Sequence, residues 1–184
     1  MLTRPTAQSV REALFNILTP AIAGTVFIDM YAGSGAIGIE ALSRGAGKAV
    51  FIDNSRACRD IINGNLDLLR IDRRNVAVLD ADLGKISAWG LVRDALSGLC
   101  GAPADIIYAD PPYKYDGLDG LPQLISASGL CGGDGVFILE HSSKTVLPDG
   151  AGAFYKYRDR QYGDTRLSFY RARTGDEVEA ESAC

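Results

Sequence analysis

The chain has 184 residues, enough for one domain with a substantial core. Hydrophobic residues make up 47% and charged residues 23%, as in ordinary soluble proteins, and no apolar run approaches the roughly 18 residues of a membrane-spanning helix. A net charge of −4 argues against a general nucleic-acid binder, although it permits a local basic patch. The four cysteines are scattered without metal or redox spacing, which indicates free thiols in a reducing cytoplasm.

The first half of the chain alternates helical and strand patterns. Ser9 and Glu12 have capping-box spacing and predict a first helix that runs from Ser9 to Leu18. The helix after the first strand is expected to end near Gly45, and Ser55 is a candidate cap for the next helix. Short apolar runs predict three strands, at 25–31, 48–53 and 75–80. The helix after Ser55 is predicted to share one apolar face among Cys58, Ile61, Ile62, Asn65 and Leu69.

The second half continues this alternation and then departs from it. A helical pattern covers 86–99, a second surrounds Leu121, Leu124 and Ile125, and strands are predicted at 106–109 and 135–140. Strand patterns at 154–160 and 166–173 leave no room for a helix between them and therefore predict a hairpin. The whole order predicts an α/β fold, with a mainly parallel central sheet, helices on both faces and a C-terminal antiparallel hairpin. We expect one domain over residues 1–173 and a disordered acidic tail over 174–184.

A glycine-rich loop follows the first strand. Gly33, Gly35 and Gly38 satisfy the pattern G-x-G-x-x-G, which permits a close approach of the backbone to a ligand and fits both NAD and S-adenosylmethionine. Asp29 precedes this loop at the strand end, where it would face a ligand ammonium. A dinucleotide site needs no acid there, because the helix amino terminus is reserved for pyrophosphate. Asp29 therefore favours S-adenosylmethionine, unless neighbouring amides merely satisfy it as a buried acid.

Two further acids follow successive strands. Asp53 follows the second strand and is suited to accept hydrogen bonds from both hydroxyls of a ribose. Asp82 follows the third strand and is expected either to contact the adenine side of the cofactor or to cap the next helix. S-adenosylmethionine carries an ammonium and a sulfonium but no phosphate, so an acid-rich pocket favours it over NAD. The predicted cofactor-binding residues are Asp29, Gly33, Gly35, Asp53 and Asp82.

The fourth strand ends in Asp110-Pro-Pro-Tyr113. Pro111 and Pro112 lack amide donors, so the sheet ladder cannot continue through them. The rigid turn would hold an acid, the carbonyl groups beside it and an aromatic ring outside the carboxyl end of a buried strand, where open α/β sheets bind ligands. Such a set can accept hydrogen bonds from an amino group and stack on a planar ring. The alternative interpretation of this four-residue motif is an ordinary loop with a solvated acid and a surface tyrosine.

Several segments together resemble the bacterial 16S rRNA (guanine(966)-N(2))-methyltransferase family. They are Arg4–Thr6, Val10–Leu18, Asp29–Gly35, Gly38–Ala46, Asp110–Tyr113 and Tyr162–Thr165. The resemblance implies a Rossmann-like class I methyltransferase fold, S-adenosylmethionine as methyl donor, and a guanine amine of small-subunit ribosomal RNA as acceptor. Family members usually carry a Gly/Arg-rich segment ahead of the Arg-Pro-Thr motif that is expected to help engage RNA, whereas here the motif begins at Arg4. We expect this difference to affect RNA affinity more than cofactor binding.

Direct displacement at the sulfonium methyl group would explain the acceptor motif. The predicted catalytic residues are Asp110, Pro111, Pro112 and Tyr113: Asp110 and the Pro111 carbonyl would bind the hydrogens of the amine, and Tyr113 would stack on the base. The only histidine, His141, is predicted to have a packing or capping role, and Arg4, Arg11 and Arg166 are candidates for phosphate contacts. The alternatives are a DNA adenine-N6 methyltransferase, an NAD-linked oxidoreductase and a non-catalytic RNA-binding or assembly module. We expect a cytoplasmic monomer without membrane attachment.

Overall fold

The computed structural model describes residues 5–112, 115 and 117–173 and, of these, the side chains from residue 8 onward. This part of the chain contains five α-helices and eight strands in an alternating order that ends in consecutive strands. They are α1 (Pro5–Leu18), β1 (Val26–Met30), α2 (Ala36–Ser43), β2 (Lys48–Ile52), α3 (Arg56–Leu68), β3 (Val76–Leu79), α4 (Ile86–Cys100), β4 (Ala104–Ala109), α5 (Leu121–Ser128), β5 (Cys131–Ser142), β6 (Gly150–Ala151), β7 (Phe154–Tyr162) and β8 (Thr165–Ala172). The predicted acidic tail, 174–184, lies outside the described residues.

All eight strands form one sheet in the order β3-β2-β1-β4-β5-β8-β7-β6. The pairs among β1 to β5 are parallel, and β8 joins β5 in antiparallel fashion and pairs with β7 as a hairpin. The mainly parallel sheet with an antiparallel end confirms the predicted fold class. The chain reverses its direction across the sheet between β3 and β4, because β1 lies between β2 and β4, and ligands in open α/β sheets bind at such a switch point.

Strand residues alternate between two apolar layers. On β1, Phe27 packs in the layer that contains residues of α1, whereas Ile28 packs in the layer that contains residues of α4 and α5. The neighbouring β4 repeats this pattern with Ile106 and Ile107. Because both faces are covered, these strands read as continuous apolar runs, which is why the sequence located them well. The register aligns Met30 with both Ile52 and Ala109, so β1, β2 and β4 end at one edge.

Local capping explains where the predictions held and where they failed. Ser55 caps α3 by accepting a hydrogen bond from the Cys58 amide at 3.4 Å, as predicted. The predicted start of α1 was wrong, because the helix already begins at Pro5 and the Gln8 side chain donates to Glu12 within the helix at 3.0 Å. Proline is tolerated in a first turn, since the amide it lacks would be unpaired there.

The predicted apolar face of α3 was wrong in part. Ile62 and Leu66 are fully buried against β2 and β3, whereas Ile61 is 50% exposed and Leu69 is 54% exposed. One helical turn separates Ile62 from Leu66, so these two residues define the stripe that faces the sheet. Leu69 follows the end of the helix. No helix of the described residues is long and apolar enough to cross a membrane.

Candidate active site

Two adjoining cavities open at the carboxyl ends of the parallel strands. The first has a volume of about 380 Å³ and is lined by residues that follow β1, β2, β3 and β4. The second has a volume of about 70 Å³ and is lined mainly by residues that follow β4 and residues at the end of β5. Asp110, Pro112 and Tyr115 line both cavities. The site is therefore a pair of compartments with Asp110 on their common wall.

Asp53 lines the first cavity and is held by two backbone amides. Its Oδ2 accepts a hydrogen bond from the Gly33 amide, and its Oδ1 accepts one from the Ser55 amide, both at 2.8 Å. A carboxylate has about four lone-pair sites, so each oxygen keeps capacity for another donor. The carboxylate is fixed in orientation and can still bind the two adjacent hydroxyls of a ribose.

The glycine-rich loop contributes to this cavity indirectly, through the side chain of Asp53. Gly33 and Gly35 both have positive φ, 56° and 76°, but neither is among the residues that line the cavity. A Cβ at Gly38 would lie 2.3 Å from the Phe51 ring, so only glycine lets α2 pack this closely on β2. In this structure the loop positions Asp53 through the Gly33 amide, and its predicted direct contact with a cofactor stays a prediction.

Asp29 lies beneath the loop, not on the cavity wall. Its side chain is 1% exposed, and its Oδ2 accepts a hydrogen bond from the Gly38 amide at 2.8 Å. Burial raises the pKa of this carboxyl to about 8, with smaller contributions from the charges of Asp110 and Asp53. Asp29 thus matches the predicted alternative of a buried acid that a neighbouring amide satisfies.

Asp82 lines the first cavity. Its Oδ1 accepts from the Gly84 amide at 3.1 Å, and its Oδ2 lies 3.3 Å from the Lys85 amine. The residue that caps α4 is Lys85, so the helix-cap alternative for Asp82 was wrong. Leu83 and Ile52, whose side chains are almost fully buried, are also among the residues that line this cavity. Together with Asp82 they give the cavity a closely packed wall with a polar group.

Asp110 is exposed to both cavities but closely surrounded by protein atoms. This desolvation and, secondarily, the charge of Glu140 raise the pKa of Asp110 to about 7. The Pro112 carbonyl accepts a hydrogen bond from the Tyr115 amide at 2.8 Å. Among the backbone hydrogen bonds of the described residues, none occupies the Pro111 carbonyl. Tyr113 lies outside the described residues, so its stacking role stays a prediction.

Sequence reasoning missed three residues of the site. Tyr31 and Tyr115 line the first cavity with their rings 5.7 Å apart in an edge-on arrangement. Tyr31 has a φ of 59°, which is unusual for a residue with a side chain. Glu140 lines the second cavity and accepts a hydrogen bond from the Tyr108 hydroxyl. Its position directly after a buried apolar run was the available signal, since Asp53 and Asp110 follow their strands in the same way.

The site is acidic. Among the described residues that line the two cavities there are four acids and neither Lys nor Arg. Burial raises the pKa of Glu140 and lowers that of His141, so His141 adds no strong positive charge. Such an environment disfavours phosphate groups and favours a ligand that brings its own cations. The four acids are Asp53, Asp82, Asp110 and Glu140.

The remaining candidates have structural partners. His141 is buried, with Nδ1 2.9 Å from the Ser142 carbonyl oxygen and Nε2 2.8 Å from the Ser168 hydroxyl, which confirms the predicted packing role. Arg166 forms an ion pair with Asp159 at 3.0 Å. Arg4 lies outside the described residues. Within the described ranges no cluster of His, Cys, Asp and Glu is suited to hold a metal ion.

Comparisons with known proteins agree over nearly the whole chain. The family model described as conserved hypothetical protein 95 matches residues 1–171. The chain is 33% identical over 171 residues to "Putative rRNA methyltransferase YlbH" of Bacillus subtilis, covering 93% of this chain and 89% of that protein. It is 30% identical over 180 residues to "Ribosomal RNA small subunit methyltransferase D" of Escherichia coli, covering 97% and 84%. The solved structure "Putative methyltransferase yhhF" from Escherichia coli has a TM-score of 0.73 at 29% identity and covers 93% of this chain and 88% of that chain.

Proposed function

The chain belongs to the conserved hypothetical protein 95 family, and we propose that it transfers a methyl group from S-adenosylmethionine to the exocyclic N2 amine of a guanine in 16S ribosomal RNA. The observation that carries this proposal is the position of Asp110 on the wall between a large cavity and a small one. A transferase for two substrates needs adjoining compartments, with the acceptor group held at their boundary. The two relatives named above as rRNA methyltransferases support the choice of RNA as substrate.

The residues of the first cavity fit S-adenosylmethionine. When bound, this cofactor supplies an electrophilic methyl group on a positively charged sulfur. Asp53 is oriented by two amides to hold ribose hydroxyls, and the wall formed by Ile52, Leu83 and Asp82 suits an adenine ring. A dinucleotide would instead bring the negative charge of its pyrophosphate into an acidic cavity.

The acceptor amine needs activation, because its lone pair is delocalised into the base. Hydrogen bonds from its two hydrogens to the Asp110 carboxylate and to the Pro111 carbonyl favour a pyramidal nitrogen, whose lone pair can then attack the methyl carbon. The nitrogen–carbon bond forms as the carbon–sulfur bond breaks, and the surplus proton of the product can pass to Asp110. Its pKa of about 7 makes Asp110 a better proton acceptor than an ordinary carboxylate. The base must leave its stack to reach this wall.

Transfer of a tritiated methyl group tests the proposal. The purified chain is incubated with labelled S-adenosylmethionine and, separately, with small-subunit RNA, assembled small-subunit particles and duplex DNA, all prepared without prior methylation. We expect label in the RNA or in the particles, and nucleoside analysis should identify it as N2-methylguanosine. Label in DNA adenine without label in RNA would contradict the proposal. Calorimetric titration with S-adenosylhomocysteine and NAD gives an independent check, since only the former should bind.

A further inference from the structure

Glu140 is the one acid of the two cavities, among the described lining residues, that the proposed mechanism does not use. The parallel register pairs Ala109 of β4 with Leu139 of β5. Asp110 directly follows the end of β4, and Glu140 is the next residue of β5, so the two acids lie at the same level of the sheet. Neighbouring residues of parallel strands point to the same face. Both acids line the small second cavity.

A neighbouring tyrosine fixes the Glu140 carboxyl group. The hydroxyl of Tyr108, a buried residue of β4, donates a hydrogen bond to Glu140 Oε2. Among the hydrogen bonds of the described residues, this is the one that reaches the Glu140 side chain. Within the described part of the chain, its other oxygen, Oε1, has no hydrogen-bond partner and can accept from a donor of a ligand in the cavity. No Lys or Arg is among the described lining residues, and the charge of a partly buried acid is costly unless a ligand donor compensates for the lost hydration.

The two purine bases differ at the edge that such an acid would meet. Next to its amino group, guanine carries an N1–H donor, whereas adenine carries a bare N1 acceptor beside its N6 amine. An ionised carboxylate accepts a hydrogen bond from the N1–H of guanine and repels the lone pair on N1 of adenine. A site built to pair with a polar group rejects an analogue that lacks the group, because its own polar atoms are then left unpaired.

We propose that Glu140 accepts the N1–H of the acceptor guanine while Asp110 accepts a hydrogen of its N2 amine. Glu140 is thus the residue that selects guanine over a base with an unprotonated N1, and Tyr108 is the positioning residue that holds it. This inference rests on the proposed guanine-N2 methyltransferase function. It adds how the second cavity recognises the base: Asp110 activates the amine, and Glu140 distinguishes a protonated N1 from an unprotonated one.

The test uses 2-aminopurine, which keeps the 2-amino group of guanine but has an acceptor at N1. The nucleotide that the wild-type protein methylates is first mapped, and small-subunit particles are then rebuilt with guanosine or 2-aminopurine at that position. Single-turnover methyl transfer is measured with the wild type, Glu140→Gln and the matched control Asp134→Asn. Asp134 lies on the same strand but is exposed, toward the end opposite the site.

The wild type and Asp134→Asn should prefer guanosine by roughly 10- to 100-fold, the ratio expected for one hydrogen bond to a charged group. Glu140→Gln should lower this ratio to about threefold or less, because the glutamine amide can also donate to N1. Tyr108→Phe should lower the ratio by a smaller factor. A ratio that Glu140→Gln leaves unchanged would overturn the inference and leave the proposed function intact. A wild type that methylates no guanine in these particles would overturn the proposed function, and the inference with it.

Discussion

The two cavities use their carboxyl groups in different ways. In the first, Asp53 receives a hydrogen bond from a backbone amide at each oxygen, so its side chain is fixed in orientation. In the second, Asp110 and Glu140 are neighbours without such amides among the described residues, and the charge of Glu140 contributes to the raised pKa of Asp110. Under the proposed function, this difference separates a cavity that binds the cofactor from one that holds the reacting amine.

The largest effect is expected at the wall between the cavities. Asp110→Asn keeps the size of the side chain but loses its charge, so it should lower kcat by roughly 10²- to 10³-fold, by analogy with the loss of one transition-state contact. Affinity for S-adenosylhomocysteine should stay nearly unchanged, because the residue is proposed to contact the acceptor. Single-turnover methyl transfer beside calorimetric titration measures both quantities. A variant that transfers methyl groups at the wild-type rate would remove Asp110 from the mechanism.

The next effect belongs to the first cavity. Asp53→Ala should weaken the binding of S-adenosylhomocysteine by about 1.5–3 kcal/mol, or roughly 10- to 100-fold, as expected for a hydrogen bond to a charged group. The alanine also frees the Gly33 and Ser55 amides, so Asp53→Asn is a useful second variant that keeps one acceptor oxygen. Asp60→Ala, at an exposed residue of α3, is the control. If folded Asp53→Ala binds like the control, Asp53 does not hold the ribose.

The third prediction concerns the pH dependence of methyl transfer, which depends on the charge of Asp110. Asp110 must be ionised to accept a hydrogen of the amine, and its pKa is raised to about 7. We therefore expect kcat/KM to fall about tenfold per pH unit below pH 7 and to level off above it. Since the charge of Glu140 is the second cause of the shift, Glu140→Gln should move the midpoint to lower pH. A wild-type profile of kcat/KM that stays flat from roughly pH 5 to roughly pH 8, on both sides of this pKa, would contradict the assignment.

The last effect concerns the stability of the fold around the buried Asp29, beneath the glycine-rich loop. Asp29 has a folded-state pKa of about 8 against a reference value of 3.8, so between these values the folded protein holds a proton that the unfolded chain has lost. Its contribution to the free energy of unfolding therefore decreases as pH rises through this window, by up to about 1.4 kcal/mol per unit. Urea unfolding at several pH values should show this slope reduced in Asp29→Asn and retained in Asp134→Asn. Equal slopes in all three proteins would refute the raised pKa.

The sequence indicated side chains that follow a single strand better than it indicated neighbours across the sheet, for a physical reason. The glycine loop, Asp53 and Asp82 are set by local turns that directly follow buried strands, and such turns leave visible signals in the sequence. The proximity of Asp110 and Glu140 at the second cavity depends instead on the register between β4 and β5, and the whole of α5 lies between these strands in the sequence. Glu140 could be noticed at its strand end, but its neighbour could not be inferred.

The same distinction between local and distant interactions explains the errors in the helices. Ser9 and Glu12 have the spacing of a capping box but lie inside α1. The same pair of residue types can also occur in the interior of a helix, so the spacing alone does not locate the helix start. Adjacent apolar residues such as Ile61 and Ile62 give no local indication of which one faces the sheet, and packing on β2 and β3 decides this. The strands β1, β2 and β4 were placed within a few residues because burial on both faces demands continuous apolar runs, whereas the two-residue β6 was not predicted.

A crystal structure of the protein with S-adenosylhomocysteine tests the division between the cavities most directly. We expect the ligand to fill the first cavity, with its ribose hydroxyls within hydrogen-bond distance of Asp53 Oδ1 and Oδ2. The second cavity, beside Glu140, should stay free for the base. A ligand that lies in the second cavity, or that binds in the first without contacting Asp53, would contradict this expectation.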